Sequence, residues 1–141
     1  MKPLYITTLI IYIIIMSVWG GWDGWQVYQG NDILFGGHLP AGIFKGIFLI
    51  GSIITAYGWG DVPFKQAHKD LLLFASCSWI VFDLAFNIIH PLIPIYYIGV
   101  TSPFDTIFRW LAGGNMILAF IIQSAIKLGL LGFSIWLKLK K

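Results

Sequence analysis

Charge is scarce in this sequence. Of 141 residues only 11% are charged while 58% are apolar, and the mean hydropathy is +0.83. A water-soluble globule of that composition is excluded. Cysteine is scarcer still: Cys77 stands alone, so no intrachain disulfide forms and no thiolate set can hold zinc. The three histidines include no His-x-x-x-His pair. His38 and His90 could be joined with Asp32 on one side of a membrane, but no helical spacing supports that set, and no metal is expected. Also missing are the Gly-x-Ser-x-Gly elbow, a phosphate-cradling glycine loop and a potassium-filter signature, so neither an enzyme nor a cofactor is expected. The basic residues give a net charge of +3 and sit mainly near the chain ends and in one connection. Anionic lipid headgroups are their simplest partner, and nucleic acid is not an expected one.

What fills the chain instead is long apolar runs. Spans are expected over about 4–19, 41–59, 71–90 and 115–137 of a single transmembrane domain covering 1–141. Each approaches the ~20 residues that cross about 30 Å of hydrocarbon. The first run follows Met1-Lys2-Pro3, and the bulky Trp19-Gly20-Gly21-Trp22 behind it is poor as a signal-peptidase site, so a retained helix is expected. Ser102-Pro103-Phe104-Asp105 suits a helix start, with Ser102 as cap and Asp105 near the positive end. A helix running from there to Lys138 would be about 50 Å long, more than a bilayer needs. A break at Gly113-Gly114 resolves this into a short interfacial helix and a last span. The expected fold is all-α: an integral membrane four-helix bundle with an outer surface loop over 20–40 and that short helix before the last span.

Lys2, Lys65, Lys69, Lys138, Lys140 and Lys141 fall on one side of such a bundle, with Asp23, Asp32 and Asp105 on the other, where only Arg109 and the borderline Lys45 oppose them. The positive-inside rule then makes both termini cytoplasmic, in a multi-pass protein of a prokaryotic inner membrane. Lys45, close to the outer start of the second run, reads as a snorkelling anchor.

The third run carries the sharpest chemical signal. Ser76, Asp83, Asn87 and His90 are spaced seven, four and three apart and share one helical face, a polar stripe in an apolar helix. A carboxylate at that depth costs about 2.5–3.5 kcal/mol and should face protein or water. In the last run Gln123, Lys127 and Ser134 share a face, and Lys127, with Gln123 beside it, is the possible counter-charge for Asp83. The alternative is that Lys127 snorkels and the chain beyond it lies on the surface. Gly42 and Gly46, and Gly129 and Gly132, give small faces suited to close helix approach, within the chain or between copies.

Phe82-Asp83-Leu84-Ala85-Phe86-Asn87, followed by Tyr97-Ile98-Gly99-Val100-Thr101-Ser102-Pro103-Phe104-Asp105, resembles a pattern in small uncharacterised four-span membrane proteins of Bacteroidetes and their phages. The resemblance covers about a quarter of the chain. It implies a four-span fold and brings no activity with it. The arginine often present between the two halves of the pattern is replaced here by the region of His90 and Pro91.

Three functions are compatible with these features. One is a self-associating protein that forms or gates a polar path, as a holin-like pore, small channel or membrane effector; a chain this small would need a homo-oligomer. The second is an accessory or scaffold subunit bound to a membrane-protein partner. The third is an intramembrane small-molecule-binding protein or enzyme built on Asp83, Asn87 and His90.

Overall fold

The computed structural model describes residues 3–33, 36, 38–57, 64–98 and 103–140. These form five helices and no strand: α1 (Pro3–Tyr28), α2 (His38–Tyr57), α3 (Phe64–Ile89), α4 (Pro103–Leu111) and α5 (Met116–Leu139). All but α4 are long and apolar enough to cross a membrane. Helices are the answer such sequences must give in hydrocarbon, because each backbone amide then finds its partner within its own segment. Val18, Ile47 and Leu128 are among many large apolar side chains left on the outside of the bundle, as lipid-facing positions are.

The first helix runs nine residues beyond the end expected from its apolar stretch. Trp19-Gly20-Gly21-Trp22 lies inside α1, and the expected surface loop over 20–40 shrinks to the stretch between Tyr28 and His38. Packing overrides the poor helix propensity of glycine here. A Cβ on Gly20 would stand 2.3 Å from the Phe82 carbonyl oxygen, and one on Gly24 would stand 2.6 Å from that of Phe86. The two glycines let α1 lie directly on the backbone of α3, in the most extensive helix contact of the molecule. The third helix likewise begins earlier than its apolar run, at Phe64, and so includes Lys65 and Lys69.

Near the expected break, Gly113 and Gly114 take φ values of +58° and +82°, where residues with a Cβ are strained, and they end α4. Asn115 then caps α5, its side chain accepting from the Leu118 amide at 3.0 Å. Ile98, Phe108, Ala112 and Ala119 form a small core that fixes α4 against α5. Ser102, the expected cap of α4, lies outside the described residues, as do Gly99 and Thr101 of the quoted pattern.

Two layers lock the half of the bundle nearer the chain termini. Tyr12, Met16, Ile53, Ala56 and Phe74 make an apolar plug, with Tyr12 stacked on Phe48 at 5.4 Å between ring centroids. Beside it is a polar clasp. Asp70, 0% exposed, accepts from the Tyr5 hydroxyl at 2.6 Å, from the Tyr57 hydroxyl and from the Lys138 ammonium. The Lys138 ammonium also lies 4.5 Å from the Tyr5 ring centroid. One carboxylate thus ties together α1, α2, α3 and α5.

Candidate binding cavity

On the other side of the plug the helices splay around a cavity of about 640 Å³. Its wall is mixed. Trp79, Phe82, Phe86, Tyr97 and Phe104 supply rings, while Lys45, Asp83, His90, Asp105 and Gln123 supply polar groups. A smaller recess of about 180 Å³ lies where α3 meets α5, and Asp83, Asn87 and Gln123 border both spaces.

Asp83 and Lys127 form an ion pair between α3 and α5. Lys127 is 7% exposed, and its ammonium is also 5.0 Å from the Trp79 ring centroid. It does not snorkel, and α5 continues as helix to Leu139, so no surface tail begins after Lys127. The Asp83 side chain keeps 35% exposure, towards the two spaces it borders. A pair of this kind is held by mutual need: removing one partner strands the other in a poor solvent.

The rest of the stripe divides by task. Asn87 donates to the carbonyls of Ile95 and Tyr97, both at 2.9 Å, and so folds the stretch after α3 back over the helix end. His90 packs against Phe86 and Tyr28, with ring centroids 6.2 and 5.8 Å away, and its buried Nδ1 has no hydrogen-bond partner among the described residues. Ser76 lies off the cavity and donates to the Leu72 carbonyl at 2.7 Å. Gln123 donates to Asp105 at 3.0 Å, which joins α4 to α5 at the cavity rim. Asp105 therefore holds a side chain of α5 besides standing in the first turn of α4. Arg109 donates to the Ile98 carbonyl at 3.4 Å.

Four residues of consequence were not legible as such. Lys45, expected as an outer anchor, turns into the cavity instead. Its ammonium lies 3.2 Å from the Phe82 ring centroid and 5.3 Å from that of Trp19, within electrostatic reach of Asp23 and Asp83. The reason is its register: Lys45 follows Ala41 by four and precedes Ser52 by seven, so it shares their buried face. Asp23, expected in a surface loop, is 1% exposed within α1. The other two, Asp70 and Lys138, make the clasp. Among the described residues no group of three or more metal-ligating side chains occurs. Compared with known protein families, with curated proteins and with solved structures, the chain matches none.

Proposed function

We propose that this chain is a multi-pass membrane protein that binds a lipid-soluble small molecule in the cavity between its helices. The observation that carries the reading is the cavity itself. Its volume lies in the range of about 300–1,000 Å³ typical of ligand pockets, and its lining joins many rings to a few converging polar groups. A polar path through one chain has less support, because Tyr12, Met16 and Phe74 fill the layer between the cavity and the Asp70 clasp. The distribution of lysines supports an orientation with both termini in the cytoplasm and the cavity towards the outer face. The resemblance of the third run supports a prokaryotic inner membrane.

Native mass spectrometry of the chain extracted in a non-ionic detergent tests the reading. A discrete small-molecule adduct is expected on the parent. It should vanish from Ser78→Phe, whose new ring occupies the cavity. A parent that carries no adduct and takes up none from a lipid extract would refute the proposal.

One observation favours a second reading, a homo-oligomer. Gly42, Gly46, Gly129 and Gly132 have no atom within 4 Å of where a Cβ would stand, so these small faces lie open to a neighbouring helix. A closed oligomer in detergent that conducts ions in liposomes would favour the pore over the binding protein. Co-purification of a larger membrane complex would favour an accessory subunit.

A further inference from the structure

We infer that the molecule held in this cavity is an acidic amphiphile, a long-chain monocarboxylate whose head group is taken by Lys45. The inference rests on the binding reading above and adds the chemistry of the ligand.

It follows from an inventory of what the lining residues have already spent. Asp83 is matched by Lys127 and Asp105 by Gln123. The Asn87 amide donates to two carbonyls, and the Ser78 hydroxyl donates to the Ala75 carbonyl at 2.9 Å. Among the charged groups on the wall one remains unmatched, the Lys45 ammonium, which has no carboxylate oxygen within 4.0 Å among the described residues and rests on ring faces. A cation in apolar surroundings is compensated only in part by rings, whereas a carboxylate at hydrogen-bond distance completes it.

The head must also be singly charged. Asp23 and Asp83 already act on Lys45 from farther away, and a dianion such as a phosphate monoester would bring surplus negative charge against them. The wall also carries Trp79, Phe86 and Phe104, rings that suit a hydrocarbon chain and offer little to a sugar or a peptide.

The test uses three probes that share one chain: dibromostearic acid, the corresponding alcohol and the corresponding amine. Bromine quenches the fluorescence of a neighbouring tryptophan, and the part of the signal lost in Trp79→Phe is the part from the cavity. With the purified full chain in non-ionic detergent, the acid should bind about tenfold or more tighter than the alcohol, the worth of one charge-assisted hydrogen bond. The amine should bind weakest. Lys45→Met should erase the preference for the acid while leaving the alcohol's affinity in place, and Lys45→Arg should retain the preference. An acid no tighter than the alcohol, or a preference that survives Lys45→Met, overturns the head-group assignment and leaves cavity binding standing. Failure of all three probes to quench Trp79 removes the binding reading along with it.

Discussion

Replacing Gly20 by alanine is the sharpest test of how the bundle is held. The added Cβ would stand 2.3 Å from the Phe82 carbonyl oxygen and 2.9 Å from its carbonyl carbon, where ordinary contact begins near 3.4 Å. The obstacle is backbone in the middle of a helix, so no rotamer change can relieve it. Either α1 and α3 part by about 1 Å or both bend, and overpacking of this kind costs about 1–3 kcal/mol. The upper end applies here, because the strain falls on the largest helix contact in the molecule. Alanine's better helix propensity returns about 1 kcal/mol, leaving a net loss of about 2 kcal/mol. Gly21 next door is the control: a Cβ there meets only the Ile89 Cγ1 at 3.2 Å, and that side chain can turn aside. Gly21→Ala should therefore be neutral or slightly stabilising. The single cysteine supplies the assay. Cys77 is half-buried in α3, so its labelling by a maleimide dye during heating in detergent reports opening of the bundle. Gly20→Ala should label at a clearly lower temperature than the parent, and Gly21→Ala should not. If the two variants label alike, the backbone contact between α1 and α3 does not limit stability and the reasoning fails.

Asp70→Asn should cost about 3–5 kcal/mol, because it leaves the Lys138 ammonium without its carboxylate in a site that is 0% exposed; the same dye assay reads it. Asp83→Asn should cost less, since the Asp83 side chain reaches open space, and equal losses at the two sites would count against the difference in burial. Asn87→Leu removes two hydrogen bonds to the stretch after α3 and leaves two carbonyls short of donors. Hydrogen exchange over residues 92–98 should accelerate while that of the centre of α1 stays constant, and unchanged exchange over 92–98 would show that other contacts hold the stretch. Asn115→Ala should cost about 1 kcal/mol locally, visible as faster exchange of the Leu118 amide, and a protected Leu118 amide would mean that the cap contributes little.

The helical class and the helix break at the paired glycines could be read directly from the sequence, because hydrophobic length and backbone freedom are local properties. Asp83 facing Lys127 is only one of two readings that the sequence leaves open, beside a snorkelling Lys127, and it is the one found as an ion pair between α3 and α5. What escaped notice depended on reading one helix as continuous. Tyr5, Tyr12, Met16, Trp19 and Asp23 follow one another at spacings of seven, four, three and four, a single helical face that ends on a buried carboxylate. Taking Gly20-Gly21 as the end of the span hid that face, and only the carbonyls of α3 explain why glycines sit there. Asp70 and Lys138 were obscured for another reason. Charges at the ends of apolar runs ordinarily meet headgroups, and nothing local distinguishes a pair that meets across the bundle.

The clasp at Asp70 also bears on how the molecule comes into being. During synthesis the first three long helices are made well before the last turn of α5, which carries Lys138. Until then the carboxylate has the hydroxyls of Tyr5 and Tyr57 as donors but no cation. The unfinished bundle therefore holds an uncompensated charge that favours water over the membrane interior. Arrival of the turn that carries Lys138 supplies that cation and fastens four helices together. A chain that stops before Lys138 therefore lacks the cation that offsets Asp70, and its four long helices lack the contact that ties them together.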